Sequence, residues 1–422
     1  MPPLRNLSPY ALVVVLAAAR LAMQLVPMAP YFGLDERYHV ARLVFVQHEH
    51  RNPTTSERSI PPYLLTNTTD VKPYLVPNYE AQQPSAYYSL VAPLASSLVG
   101  WRIVSAVFAL ICVVATAVIG ERWFGTAGIA AAALVPFVPT WESLVVRASN
   151  DAMACALVAC AIAVTVTEAS VIAEALLWGT AIATKLYVWP VAIVVPLLWW
   201  KQRAGRQRIA AVTAVSIVAA ALTLADLAAR TSSPIGVVIV QGATRGALSV
   251  IDIVKITIAS AVWTSGQHFD AMKPLAMALY ALPIVAAIIA TSKDASGFRF
   301  QISGLALLAF AAAQAANVLL GYVKHAEQIG GKEGWYWFVL MPILAPALLA
   351  PALTRMRWLP WWIMAWDVVI TDCQLIATWS GLTSPLHPSI LFRWGPMHLP
   401  PAWVVPFRVV EIAALAMVVR RA

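Results

Sequence analysis

Charge is what this chain has least of. Only 12% of its 422 residues are Asp, Glu, Lys or Arg, against 60% hydrophobic, and the mean hydropathy is +0.73. Soluble domains carry about 25% charged residues, so a soluble globular chain is excluded. Cysteine is scarce as well. Cys112, Cys155, Cys160 and Cys373 all fall in apolar runs and none forms a C-x-x-C pair, which leaves no redox or zinc motif. There is no G-x-x-x-x-G-K-[ST] loop, no internal repeat, no low-complexity tail and no polar block long enough for a soluble nucleotide-binding domain. The net charge of +9 is scattered between apolar runs rather than gathered in one patch, which argues against a nucleic-acid partner.

Apolar runs are what the chain has in abundance. A hydrocarbon core of about 30 Å takes roughly 20 helical residues. Candidate spans are Tyr10–Val26, Trp101–Gly120, Thr126–Val138, Ala152–Val166, Val171–Thr184, Tyr187–Trp200, Ile209–Leu227, Pro274–Ala290, Ile302–Val323, Trp335–Leu353, Trp358–Trp379 and Ala402–Val419. These predict an all-α polytopic membrane protein, one transmembrane domain over residues 1–422 with about 12 helices. The 17 Trp and 12 Tyr suit the membrane–water interface. The first run contains Arg20 and leads into Pro27 and a charged segment, so it reads as a retained span and not a cleaved leader. Tyr87–Val99 is short for a span. Ala247–Thr264 carries Asp252 and Lys255 and suits an interfacial or re-entrant segment.

Orientation follows from short basic loops. With the N-terminus inside, the cytoplasmic side receives Arg5, "KQRAGRQR", "SKDASGFR", "TRMR" and the final Arg420 and Arg421, in keeping with the positive-inside rule. The outer side then receives the first loop, 29–87, which is expected to be helical near Glu36–His48 and irregular afterwards. It also receives Lys185, Arg245, Lys324, Lys332 and Arg393, which run against the bias. An anionic ligand at that face accounts for them, and so does tolerance of basic residues in longer loops.

Four outer segments carry chemistry-bearing residues. In "LDERYH", Asp35 lies four and Glu36 three residues before His39, so each carboxylate can share a helix face with the imidazole. Two carboxylates and an imidazole there can hold a divalent cation, or supply a general base with neighbours that tune it. A capped helix start with Glu36 paired to a cation explains the same spacing. In "NYEAQQPSAYY", Glu80, Gln83 and Tyr87 can hydrogen-bond and stack against a sugar, or form an interfacial belt. "VRASNDA" sets Arg147, Asn150 and Asp151 at the head of a span, where N-capping is the plain explanation. Lys185 lies between two spans with no acid near it in sequence, suited to snorkelling or to a lipid phosphate. The "HEH" at His48 to His50 reads as a solvated loop.

The order of these segments, "LDERYH", "YEAQQPSAYY", "SNDA" and then "TKLY", resembles the GT-C superfamily of integral-membrane glycosyltransferases. The nearest branches resemble protein O-mannosyltransferases, lipid A aminoarabinose transferases and bacterial transferases with a D-E-x-x-H signature. "VWTSGQHF" and "EGWYWFVLMPIL" extend the likeness more weakly, with Trp335 where an arginine is expected. "YEAQQPSAYY" lacks the lysine and second proline of the aminoarabinose branch. The resemblance implies a GT-C-like bundle in the cell membrane with its active site on the extracytoplasmic face. The donor would be a polyprenyl-phosphate sugar, the acceptor a lipid, glycan or protein, and the transfer inverting. Asp35 would be the general base, helped by Glu36. Lys185, then Arg147, would hold the leaving phosphate. His39, Glu80, Gln83, Tyr87, Asn150 and Asp151 would bind substrate or position the base. No cofactor is obligatory; if Mg or Mn takes part, Glu36 and His39 are the candidate ligands.

Two other classes stay in view. A secondary transporter or lipid-linked glycan flippase would use polar residues inside spans, and Asp367 and Asp372 in Trp358–Trp379 are the best argument for it. A non-catalytic glycan-assembly subunit fits the degenerate motifs. The alternatives separate on whether Asp35, Glu80, Asp151 and Lys185 converge on one outer cavity or Asp367 and Asp372 line a midplane path.

Overall fold

The computed structural model describes residues 7–25, 36–57, 79–197, 203–231, scattered positions between 251 and 289, 298–324, 338–368 and 401–421. Among them the chain is helical, with no strand. The first helix, α1 (Pro9–Leu25), is followed by α2 (Glu36–Glu49), a short 3-10 turn over Tyr79–Gln82 and α3 (Ala86–Val91). Then come α4 (Leu98–Phe124), α5 (Thr126–Ala132), α6 (Pro139–Val145), α7 (Asn150–Val166), α8 (Val171–Thr184), α9 (Val188–Leu197) and α10 (Arg203–Thr231). Later elements are α11 (Phe298–Lys324), α12 (Met341–Leu353), a helical stretch over 359–368, and α13 (Pro401–Arg421).

α4 is the axis of the bundle. It starts at Ser97, whose side chain accepts from the Gly100 N–H at 3.1 Å, so one of the four orphan donors of the first turn is satisfied. It ends where Gly125 adopts φ 63, a conformation that suits glycine, and α5 turns back against it. The return is tight. A Cβ built on Gly120 would sit 2.4 Å from the Gly128 carbonyl oxygen, and one on Gly128 would sit 1.9 Å from that of Gly120. Only paired glycines let the two backbones meet. α1, α5, α7 and α12 pack around α4 through Leu16, Cys112, Val113, Ala131, Val158 and Ile343, all buried.

The expected span Thr126–Val138 is not a straight helix. Pro136 and Pro139 interrupt the backbone ladder, and the helical turns before and after that break cross at 72°. Tyr87–Val99 likewise resolves into α3 and a 3-10 turn, with α4 beginning only at Leu98. Elsewhere helix and expectation agree closely, and Val171–Thr184 matches to the residue. Among the described residues α4 and the Gly205–Thr231 part of α10 are long and apolar enough to cross a bilayer alone, and the bent pair makes a third candidate. Outward-facing Val99, Ile103, Val107 and Ile111 form a four-residue-spaced apolar ridge on α4, as a lipid-facing surface requires. Pro9–Leu25, Asn150–Val166 and Val171–Thr184 are apolar but only 17, 17 and 14 residues long, and other expected crossings, Pro274–Ala290 among them, involve residues outside those described.

The bundle has two distinguishable ends. At one, Tyr10 donates to Glu121 at 2.5 Å, Arg421 donates to the Leu7 carbonyl at 2.7 Å, and Arg208 pairs with Glu174 at 2.9 Å. The starts of α1, α8 and α10 therefore lie with the ends of α4 and α13. The opposite end gathers α2, α3, the starts of α4 and α7, and the ends of α8 and α10. Between the ends, fully buried Arg20 of α1 holds Glu142 of α6 at 2.7 Å and Asp367 at 2.7 Å. Asp367, the residue that favoured a transporter, is thus committed to an ion pair. Asp372 lies outside the described residues.

Candidate active site at one end of the bundle

Glu36 opens α2 and is fully buried. Arg102 of α4 grips it with two bonds, Nε to Oε1 at 2.8 Å and Nη2 to Oε2 at 2.7 Å, and the Ala148 N–H donates to Oε1 at 3.1 Å. A planar guanidinium and a carboxylate in this two-bond arrangement are rigid. Glu36 was expected to help the base or to join His39 around a metal, and the geometry gives it structural partners. Both carboxylate oxygens are taken, and His39 turns to other partners. Glu36 anchors the head of α2 to α4 and to the α6–α7 turn. Among the described residues no group of three or more His, Cys, Asp or Glu side chains could hold a metal ion. Asp35 lies outside the described residues.

One turn along α2, His39 Nδ1 lies 2.6 Å from the Tyr88 hydroxyl, which donates to Glu80 Oε2 at 3.2 Å. All three side chains are buried, and the His39 and Tyr88 rings stack at 5.9 Å. Burial pushes the Tyr88 phenol well above its ordinary range, and the Glu80 carboxylate adds to the rise. The turn that carries Glu80 is clamped by two arginines. Arg42 of α2 donates to the carbonyls of Glu80 and Gln83, and Arg230 of α10 donates to those of Ala81 and Gln83. Arg42 also lies 3.7 Å over the Tyr88 ring. Burial brings Arg42 down to about 10; the Tyr88 field opposes that, and Arg230 reinforces it. Asp226, 2.6 Å from Arg230, balances part of this charge. Gln83 therefore contributes its backbone carbonyl to the clamp, while its side chain is half-buried.

The third group joins α7 to the α8–α9 junction. Asn150 donates to the Thr184 carbonyl at 3.2 Å, bringing the head of α7 against the end of α8. Asp151 Oδ1 accepts from Lys185 Nζ at 2.6 Å and from the Tyr187 hydroxyl at 2.6 Å. Neither Asn150 nor Asp151 caps α7: the N-cap is Ser149 and its side chain makes no cap bond. Lys185 does not snorkel either; it is buried, 5.1 Å from the centre of the Tyr187 ring. Tyr87 lies between the groups. Its phenol is fully buried and raised, first by burial and then by the fields of Asp151 and Glu36, with Ser105 opposing. Arg147 is buried too, with Nη2 3.5 Å from Ser143 Oγ.

Glu36, His39, Glu80, Tyr87, Arg147, Asn150, Asp151 and Lys185 thus gather at one end. Sequence reasoning missed Arg102, Tyr187, Arg42, Arg230 and Asp226. Arginine or aspartate inside an apolar run was the available signal for Arg102, Arg230 and Asp226, because such residues are rarely left unpaired. Arg42 stands three residues after His39 on the same face of α2. His48, Glu49 and His50 are exposed, as expected.

No family model matches the chain, and no curated protein matches it in sequence. In fold the chain is similar to a solved structure of ArnT. The apo structure of ArnT from Cupriavidus metallidurans superposes with a TM-score of 0.54 at 15% identity, over 97% of this chain and 72% of that one. The same ArnT bound to undecaprenyl phosphate gives 0.49 at 15% identity, over 98% and 72%. The archaeal oligosaccharyltransferase AglB from Archaeoglobus fulgidus, in complex with an inhibitory peptide and a dolichol-phosphate, gives 0.42 at 10% identity, over 97% and 55%.

Proposed function

We propose that this chain is a membrane glycosyltransferase that moves a sugar from a polyprenyl-phosphate donor to a hydroxyl of a lipid, glycan or protein acceptor at the extracytoplasmic face. The observation that carries the reading is the gathering of three motif-borne groups, Glu36–Arg102, His39–Tyr88–Glu80 and Asp151–Lys185–Tyr187, at one end of a GT-C-like bundle. A lipid-borne donor needs its polar head handled where the bundle meets water and its tail left in lipid. The apolar ridge on α4 below a charged end supports that division.

In this reading Asp35 accepts the proton of the acceptor hydroxyl as that oxygen attacks the anomeric carbon. The bond from that carbon to the phosphate oxygen breaks, its electron pair leaves with the polyprenyl phosphate, and configuration inverts. The leaving phosphate asks for positive charge more than for a proton, which Lys185 supplies, with Arg147 second. Glu36 holds the helix that Asp35 precedes, and His39, Glu80 and Tyr87 are assigned to sugar or acceptor hydroxyls, in exchange for their resting contacts. An aspartate base needs no metal, so Mg or Mn is not required by the scheme.

The test is transfer from labelled polyprenyl-phosphate sugars in membranes, with Asp35→Asn compared at equal folded abundance. Loss of a general base removes about 10²–10⁴-fold in rate, and that is the expected result. Transfer that survives Asp35→Asn refutes the choice of base. Failure of the intact protein to consume any donor across a full sugar panel refutes the enzyme class.

A further inference from the structure

Lys185 is assigned above to the donor phosphate, yet its amine is already taken. Asp151 holds it at 2.6 Å, both groups are buried, and the Tyr187 hydroxyl donates to the same aspartate oxygen. Lys185 itself stands in extended backbone (φ −155, ψ 135) at the break between α8 and α9, so no helix fixes the direction of its side chain. We infer that Asp151 is the resting counter-ion of Lys185 and is exchanged for the donor phosphate. It competes with polyprenyl phosphate for one amine and thereby sets the affinity for donor and the rate of product release. This rests on the phosphate assignment of Lys185.

The chemistry follows from two contacts, Lys185 to Asp151 and Tyr187 to Asp151. A buried ammonium without a partner is expensive to hold, so Asp151 gives the Lys185 amine a partner near its site when no donor is present. Arrival of a phosphate brings two anions to one amine. Like charges a few ångströms apart repel strongly in a poorly screened site. Asp151 is not left bare when the amine swings away, because the Tyr187 hydroxyl stays with it. After transfer the leaving phosphate carries more negative charge than the donor's diester, and re-pairing of Asp151 with Lys185 opposes its retention. Asp151 is in this sense a positioning residue; it touches no reacting atom.

The experiment measures equilibrium binding of undecaprenyl phosphate to the full chain in lipid nanodiscs, with undecaprenol as the probe that lacks phosphate. Asp151→Asn removes the competing charge and keeps the shape. It should tighten undecaprenyl phosphate at least tenfold and leave undecaprenol unchanged. Lys185→Met should weaken undecaprenyl phosphate at least tenfold, and Asp151→Asn added to it should then have no further effect. If Lys185→Met weakens binding but Asp151→Asn leaves it unchanged or weaker, the exchange is wrong and the phosphate assignment stands. If Lys185→Met changes nothing, the assignment falls and the exchange with it. Because Asp151→Asn can cost folding, the unmodified protein supplies a second measurement by solid-state NMR. The dipolar contact between Lys185 15Nζ and Asp151 13Cγ should be strong alone and replaced by a contact to phosphorus when undecaprenyl phosphate is added. Persistence of the first contact at saturation overturns the proposal.

Discussion

Glu36→Gln separates an anchor from a reacting group. The substitution keeps the shape of the side chain and removes its charge from the buried pair with Arg102, which is 3% exposed. A pair about 4 Å apart at an effective dielectric constant of about 20 is worth about 4 kcal/mol. Removing one partner of a buried pair costs about 3–5 kcal/mol, chiefly because the other is left uncompensated. The two bonds from Arg102 and the one from Ala148 place Glu36 at the upper part of that range. Replacing Arg102 by glutamine as well removes the other half of the pair, and a coupling of about 2 kcal/mol or more should appear in the cycle. The assay is unfolding in dodecyl sulfate followed by fluorescence of the 17 tryptophans, with sugar transfer measured on the folded fraction. The folded Glu36→Gln protein should keep transfer within about tenfold of the parent, a smaller loss than removal of a general base produces. A Glu36→Gln protein as stable as its parent but without transfer would refute the reasoning, because it would make Glu36 a chemical participant.

Gly128→Ala should be among the most damaging small changes, since its Cβ would lie 1.9 Å from the Gly120 carbonyl oxygen; a loss of about 3 kcal/mol or more, read as folded yield, checks it. Arg230→Met should loosen the turn that carries Glu80 without touching α2, seen as faster hydrogen exchange over 79–85; unchanged exchange there counts against the clamp. Glu57, held mainly by Arg51 and also by Thr54, has its carboxyl brought down to about 2 from 4.5. A depressed carboxyl stabilises the fold fully above its unfolded value, so this contribution fades as pH falls from about 4.5 through about 2. Partial exposure keeps it under about 1 kcal/mol. A carbon-13 titration of Glu57 should find that low midpoint, and Arg51→Ala should return it towards 4.5.

Much of the helical layout was legible because apolar runs report their own length. Val171–Thr184 begins behind a capping Ser170, whose hydroxyl accepts from the Ala173 N–H, and ends before an extended lysine, both local signals. The bend between α5 and α6 was not legible as a bend: its prolines were visible, but a window of apolar residues does not reveal direction. The site divided the same way. Residue types at the right end of the right spans could be read, because topology alone brings them together. Their partners could not. Asp151 and Lys185 stand 34 positions apart and Glu36 and Arg102 stand 66 apart, so no periodicity links them. Capping by Asn150 and Asp151 was the natural local expectation, and tertiary hydrogen bonds displaced it.

Arg20 has a consequence for how the protein is made. Its two carboxylate partners lie 122 and 347 positions later in the chain. The first helix therefore leaves the ribosome with a charge whose neutralising groups do not yet exist, and a lone arginine at mid-helix costs about 2.5–3.5 kcal/mol to insert. Glu142 is made well after α1, and Asp367 well after Glu142. α1 thus meets the membrane before either partner and settles in it only after both, when widely separated parts of the chain dock around one guanidinium.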